Sequence, residues 1–248
     1  SLHDALPILY AIRKRFNMDI SKRLEFIANH IDKCESIIDV GTDHGYIPIY
    51  AVKKGLCNKA IASDINKDPV KKAQLNVALE GLSKKIDVRL GGGLQTVDIK
   101  EVEGVVIAGM GGNLIRDILE HDKRKLPFYK FLILQPAQNP EVLREYLYNN
   151  GYEILEEDLC FDEGIYYELF KVRKNSKENM KLDPIYYEFS PVLLKDKHPL
   201  MIGYLKEKEE KYNRIVSFIK EDSESAIRRK KEVQDKLNEI KRFIEEVK

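Results

Sequence analysis

Asp39, Gly41, Asp43 and Gly45 stand at alternate positions after the apolar pair Ile37-Ile38, and an apolar stretch opens at Tyr46-Ile47-Pro48. An apolar run ending in an acid, then a glycine-bounded turn, then a helix-capable segment predicts a strand, a tight loop and a helix N-terminus. Such a junction offers backbone N–H groups and the positive end of a helix dipole to a ligand. Gly41 and Gly45 let that ligand approach the backbone, and Asp39 is placed to receive a cationic group, directly or through water. A dinucleotide loop of the G-x-G-x-x-G type needs a second glycine where this chain has Asp43, so a pyrophosphate is not the expected ligand.

Further residues join this loop at the ends of later strands. Asp64 closes the second predicted strand, where nucleoside-binding folds place an acid that accepts both ribose hydroxyls. Gly91-Gly92-Gly93-Leu94 follows the third strand and serves equally as a base-lining loop or a flexible turn. Ala108-Gly109-Met110-Gly111-Gly112-Asn113 ends the fourth strand. Its glycines would let a flat base lie against the backbone, or simply make a tight strand-to-helix turn. Gln135 and Asn139, in Gln135-Pro136-Ala137-Gln138-Asn139-Pro140 after the fifth strand, can read hydrogen-bonding edges or act in turn chemistry. His44 and Tyr46 flank the first loop, and Tyr46 can stack on an extruded base. His30, His121 and His198 lack such a setting and read as background.

The elements that must position these residues alternate. A helix from Asp19, with Asp19 as its cap, carries Ile20, Leu24, Ile27 and Ile31 at helical spacing. Strands are predicted at 36–39, 59–64, 86–90, 104–108 and 131–134, with helices at 47–54, 67–79, 114–119 and 141–149 between them. Residues 152–159 and 165–172 form a closing hairpin around Asp162-Glu163-Gly164. This order implies an α/β fold with a mainly parallel seven-stranded sheet and right-handed crossovers. After a polar linker at 173–181, Val233, Leu237, Ile240, Ile244 and Val247 step by four and three, an a/d seam. Met201, Leu205, Tyr212, Ile215 and Ile219 form a looser stripe, and 220–225 the turn of an antiparallel helical hairpin.

The whole chain bounds these readings. With 248 residues it holds one substantial domain and a small one. The net charge of +1 does not declare a nucleic-acid partner, although lysine and arginine pairs cluster near the sheet loops and at Arg228-Arg229-Lys230-Lys231. No apolar run approaches a membrane span. Cys34, Cys57 and Cys160 have neither disulfide-framework nor metal-ligand spacing, so no metal and a reducing cytoplasm are expected. Residues 1–17 precede Met18 and read as a non-native or disordered extension.

The pattern from Asp39 to Gly45 resembles the first motif of S-adenosylmethionine-dependent methyltransferases of class I, which have a Rossmann-like fold. The combination of Ile20-Ser21-Lys22-Arg23-Leu24, Asp39 to Tyr46, Ser63-Asp64-Ile65, Ala108-Gly109-Met110-Gly111-Gly112, Leu134-Gln135-Pro136 and Tyr166-Tyr167-Glu168 is similar to the bacterial tRNA adenine-22 N1-methyltransferases. The likeness runs from about Met18 to the C-terminus. It implies a methyltransferase domain over 18–175, a small C-terminal α-helical coiled-coil domain over 182–248, S-adenosyl-L-methionine as cofactor and tRNA as partner. It also implies cofactor contacts from Asp39, Gly41, Thr42, Gly45, Asp64, Ile65, Gly92, Gly93, Leu94, Gly109 and Met110. Substrate contacts would come from Arg23, Gly111, Gly112, Asn113, Gln135 and Pro136, with Asp43, His44 and Tyr46 at the chemistry. Gly92 stands where the family pattern has an acid, which leaves the adenine contact open, and Ser190 stands in place of a glycine.

The expected reaction is attack of the adenine N1 lone pair on a sulfonium methyl. Neutral N1 carries no proton, so positioning dominates, the base must be exposed, and a carboxylate such as Asp43 would stabilise the cationic product. Competing readings are methylation of a small molecule or protein, a nucleotide-binding module without catalysis, and a nicotinamide-dependent oxidoreductase.

Overall fold

A computed structural model describes residues 20–175, 179–220 and 223–248. The extension at 1–17 and the cap assigned to Asp19 fall outside these residues. Helix α1 (Lys22–Asn29) is capped instead by Ser21, whose side chain accepts from the Leu24 N–H.

Strands β1 (Cys34–Val40), β2 (Cys57–Asp64), β3 (Ile86–Leu90), β4 (Gly104–Gly111), β5 (Phe131–Gln138), β6 (Tyr152–Asp162) and β7 (Ile165–Lys174) form one sheet in the order β3-β2-β1-β4-β5-β7-β6. The first five run parallel, and β7 is antiparallel to both of its neighbours. β2 and β4 flank β1 on opposite sides, so the chain order reverses there. A crevice opens at such a switch point, beyond the carboxyl ends of the strands.

The strands are longer than their apolar runs. β4 extends through Gly109 to Gly111 and β5 through Pro136 to Gln138, because these loop residues keep pairing with each other, with register shifts at Met110. Val105, Val106, Ile107, Leu132, Ile133 and Leu134 are fully buried, as continuous apolar strands covered on both faces must be. Helices α2 (Tyr46–Lys53) and α3 (Lys67–Leu79) cover part of one face, and α4 (Gly112–His121) and α5 (Pro140–Asn149) part of the other.

The 173–181 linker expectation needs correction at its start. Arg173 and Lys174 belong to β7, where Arg173 pairs with Glu153 across the ladder. Two short helices absent from the sequence reading follow, α6 (Pro184–Glu188) and α7 (Pro191–Lys195), each with proline in its first turn. Ser190 has a structural use: its hydroxyl caps α7 by accepting from the Leu193 N–H at 3.1 Å. Helices α8 (Met201–Phe218) and α9 (Glu224–Val247) then pair. All five residues of the expected α9 seam are buried, together with Phe243. On α8 only Met201, Tyr204 and Leu205 are buried, so the seam loosens toward the far end of the hairpin.

These helices are anchored through a core that includes Leu159, Phe189, Leu193, Tyr204 and Ile240. Beside it, fully buried Arg144 on α5 donates to Glu157 at 2.9 Å, to the Tyr187 carbonyl at 2.7 Å and to Glu168. Tyr204 of α8 donates to the other oxygen of Glu168 at 2.7 Å. Burial alone would lower the Arg144 pKa, but the two carboxylates outweigh it and keep the guanidinium charged.

Among the described residues, no helix is long and apolar enough to cross a membrane.

Candidate functional site

A cavity of about 280 Å³ lies at the switch point, lined by Arg23, Leu24, Asp39, Gly41, Thr42, Asp43, His44, Tyr46, Ile47, Ala108 and Gly109. Its floor is the end of β1. Asp39 pairs in register with Val106 of β4 and Ala62 of β2, which brings its carboxylate to the crevice. Asp39 is 5% exposed. Burial pushes its carboxyl up to about 6; the Thr42 hydroxyl bonded to it works against that, and the charge of Asp64 adds to it.

The loop after β1 is not the free row of N–H donors that its glycines suggest. Gly41 and Thr42 both donate to the Ser63 carbonyl, at 2.8 and 2.9 Å, and Gly45 donates to the Thr42 hydroxyl at 3.2 Å. These bonds tie the loop to β2 and use three of its N–H groups internally. Gly41 has φ +78°, and the Met110 methyl lies where a Cβ would stand. Glycine is thus required twice over, by the left-handed backbone and by the Met110 contact.

The aromatic pair at the cavity mouth is preorganised. The His44 and Tyr46 rings stack at 5.1 Å between centroids and 13° between planes, and Tyr46 remains 38% exposed. Asp43 reaches His44, with Oδ2 3.3 Å from Nε2. Asn76 of α3 holds the loop by donating to the His44 carbonyl at 2.9 Å.

Arg23 forms the opposite wall. Its Nη1 donates to Gln135 Oε1 at 2.7 Å, its guanidinium lies 5.4 Å from the Tyr167 ring, and its backbone N–H donates to Asp162. Gln135 is fully buried, and its Nε2 donates to the Pro136 carbonyl, so both ends of the amide are used. Gln135 therefore orients Arg23 and has no free edge for reading a base, a correction to its expected role.

Other expected residues fall around this cavity. Asp64 ends β2 and spends Oδ1 on the Asn66 N–H at 2.7 Å. Ile65 is 71% exposed beside Gly92, an apolar surface next to the acid. Gly93 packs against Ile118 of α4 and Asp122 just after it rather than facing the crevice. Leu94 is buried in the core and its carbonyl accepts from Lys125, so no side-chain contact from Leu94 to a ligand is available. Gly112 is a packing glycine, because the Asn139 carbonyl occupies the space of a Cβ. Gly111 caps α4 with open space around it, Asn113 is exposed, and Pro136 is buried.

Leu24, Ile47 and Tyr167 were not read as site residues from the sequence. Leu24 and Ile47 belong to apolar helical stripes, which signal only packing, and Tyr167 stood in a matched segment without a role.

The donor set fits a zwitterionic nucleoside ligand. A buried carboxylate with only a hydroxyl partner suits an ammonium, and a half-exposed acid followed by an exposed isoleucine suits a ribose with its base.

Comparison with known proteins agrees with this chemistry. Residues 37–242 match the model of the tRNA (adenine(22)-N(1))-methyltransferase family. The tRNA (adenine(22)-N(1))-methyltransferase of Bacillus subtilis is 32% identical over 92% of this chain and 98% of its own length. A solved Streptococcus pneumoniae protein, described as a putative tRNA (m1A22) methyltransferase in complex with S-adenosyl-L-methionine, is 33% identical. It superposes with a TM-score of 0.80 over 91% of this chain and 99% of its own. M. capricolum TrmK in complex with S-adenosyl-homocysteine is 30% identical, with a TM-score of 0.79 over 92% and 99% of the two chains.

Proposed function

Because this chain belongs to the tRNA (adenine(22)-N(1))-methyltransferase family, we propose that the crevice between β1 and β4 is where it brings S-adenosyl-L-methionine and adenine 22 of tRNA together. The protein is a tRNA methyltransferase that modifies N1 of adenine 22. The observation that carries the assignment of this crevice is Asp39, a buried carboxylate that no salt bridge reaches among the described residues.

In this reading Asp39 receives the ammonium of the cofactor, and Asp64 accepts the ribose hydroxyls with its remaining carboxylate capacity. Ile65 and Gly92 bracket the cofactor's adenine. Gly41, Thr42, Gly45, Gly109 and Met110 shape the channel between them. When bound, S-adenosyl-L-methionine supplies an electrophilic methyl group. The target adenine, extruded from the RNA stack, lies on Tyr46, whose ring is already held by His44. N1 of the neutral base has a lone pair in the ring plane and no proton to lose, so neither a general base nor a metal is required. The protein's contribution is alignment of N1 with the methyl carbon. Methylation leaves the base cationic, and Asp43 at the mouth offers negative charge to it. Arg23, held by Gln135, meets the phosphate of the target nucleotide or its neighbour. The 182–248 helices form a unit that meets the tRNA body by shape, and the cytoplasm, where tRNA is found, is the compartment.

The test is transfer from labelled S-adenosyl-L-methionine to a tRNA transcript and to the same transcript with adenine 22 replaced. Label in the first alone is expected. Equal label in both would overturn the position.

A further inference from the structure

His30, read from the sequence as background, sits against two carboxylates of a distant strand. It follows α1 and is 9% exposed in its side chain. Its Nε2 lies 3.0 Å from Asp158 Oδ2 and 3.6 Å from Glu156 Oε1, both on β6, and the three atoms lie within 4.8 Å of one another.

The hydrogen bonds around this cluster fix which atoms carry protons. His30 Nδ1 lies 2.8 Å from the Phe26 carbonyl. A carbonyl only accepts, so Nδ1 carries a hydrogen and Nε2 of the neutral ring presents a lone pair to the carboxylates. His198, before α8, has the opposite tautomer. Its Nδ1 accepts from the Leu200 N–H at 3.2 Å, so Nε2 carries the hydrogen and donates to Asp158 Oδ1 at 2.9 Å. The Leu159 N–H also donates to Oδ1, at 2.7 Å. One oxygen of Asp158 is therefore satisfied, and the other is turned toward His30.

Three atoms with lone pairs lie together here, and a cation, either a second proton on His30 or a metal ion, offsets their mutual repulsion. A second proton on His30 bridges to Asp158 alone and leaves Glu156, 48% exposed in its side chain, to water. Lys171, the cross-strand neighbour of Glu156, is paired with Asp32 at 2.7 Å. A metal ion satisfies all three atoms. Metal–ligand bonds of about 2.0–2.2 Å put tetrahedral neighbours roughly 3.3–3.6 Å apart; the 3.6 Å to Glu156 meets this and the 3.0 Å to Asp158 would have to widen slightly. One imidazole with two carboxylates favours zinc-class ions over magnesium or calcium. The surrounding bonds are those of a supported ligand set: a backbone carbonyl orients His30, and His198 orients Asp158.

We propose that His30 Nε2, Glu156 Oε1 and Asp158 Oδ2 form a binding site for a divalent transition-metal ion of the zinc class, with a fourth position open to water. The ion fastens the C-terminal end of α1 to β6, and His198 links the same carboxylate to the C-terminal helices. It lies outside the Asp39 cavity and is structural. It also revises the expectation of no metal, which rested on cysteine spacing and could not register ligands so far apart in sequence.

The test is equilibrium dialysis of chelator-treated full-length protein against zinc chloride, with cobalt chloride as a spectroscopic probe. One bound equivalent is expected, with the visible absorption of low-coordinate cobalt. His30→Gln and Glu156→Gln should each lose that equivalent, while circular dichroism and S-adenosyl-L-methionine binding stay unchanged. His198→Phe, which removes only the orienting bond, should weaken zinc binding by about 10- to 100-fold. If His30→Gln does not fold, the partly exposed Glu156→Gln variant decides. No bound equivalent in the unaltered protein overturns the site and leaves a proton as the partner of His30. An equivalent that survives Glu156→Gln and His198→Phe also overturns it.

Discussion

Arg23 and Gln135, far apart in the chain, meet through one 2.7 Å bond from guanidinium to side-chain carbonyl. The bond joins the first turn of α1 to the end of β5, and its guanidinium end lines the cavity while its amide end is sealed in the core. A charged group is thus held at the mouth of the site by a neutral residue that has no other freedom.

Arg23→Ala should therefore reduce kcat/KM for tRNA by about 10- to 100-fold, the value of one or two hydrogen bonds to a charged group. The dissociation constant for S-adenosyl-L-methionine should stay the same, because Asp39 and Asp64 remain. Gln135→Ala should reproduce part of the loss by freeing Arg23. Steady-state kinetics with calorimetry for the cofactor separates the effects, and a matching loss of cofactor affinity would refute the assignment of Arg23 to the RNA.

Asp64→Ala should act the other way. Removing the acceptor for two ribose hydroxyls is expected to weaken cofactor binding by at least about tenfold. The substitution also removes the bond from the Asn66 N–H at the start of α3. Asp64→Asn keeps that acceptor and is the control for the local turn. An unchanged dissociation constant in Asp64→Ala by calorimetry would remove Asp64 from the cofactor site.

The sheet and its order of elements were legible because apolar runs and helical stripes report burial directly. α3 and β3 lie at their expected bounds, and the α9 seam is buried residue for residue. The β4 and β5 loops were harder: glycine and proline read as turns, yet here they continue the ladder as far as Gly111 and Gln138. The Asp39 loop was legible as a site, but not the consumption of its N–H groups by Ser63, because a carbonyl acceptor leaves no trace in residue type. Arg144 was missed for a related reason. It sits on the buried Leu143, Leu147 and Tyr148 stripe of α5, and a charge on an apolar stripe is the signal that could have found it. His30 and Asp158 had no such signal, since nothing local links them.

That buried Arg144 predicts a large stability effect. Arg144→Met would leave Glu157 and Glu168 without their cation in a site almost closed to water. An uncompensated buried charge costs about 3–5 kcal/mol, so the midpoint of urea unfolding should fall markedly. Adding Glu157→Gln and Glu168→Gln should recover part of the loss. Because Arg144 also holds the Tyr187 carbonyl and Glu168 holds Tyr204, the single variant should expose the C-terminal helices to limited proteolysis. Cleavage no faster than in the unaltered protein would mean that the core around Phe189 and Leu193 suffices to hold them.

Asp39 makes cofactor binding depend on pH, with a definite sign. Burial raises its carboxyl to about 6, well above the ordinary value near 4. Between those values the folded protein without cofactor binds a proton that the unfolded chain does not. Its stability should therefore rise as pH falls through that window. Cofactor affinity runs in the opposite direction, because an ammonium needs the ionised carboxylate. Below about pH 6 the dissociation constant for S-adenosyl-L-methionine should grow by up to tenfold per pH unit, and above it the profile should flatten until the ligand's own α-amino group titrates near about 8. Asp39→Asn should bind weakly at pH 8 and lose the dependence. Calorimetric titration between pH 5 and 8 reads this without turnover, so protonation of the target adenine does not enter. A profile in Asp39→Asn as steep as that of the unaltered protein would assign the titration to another group.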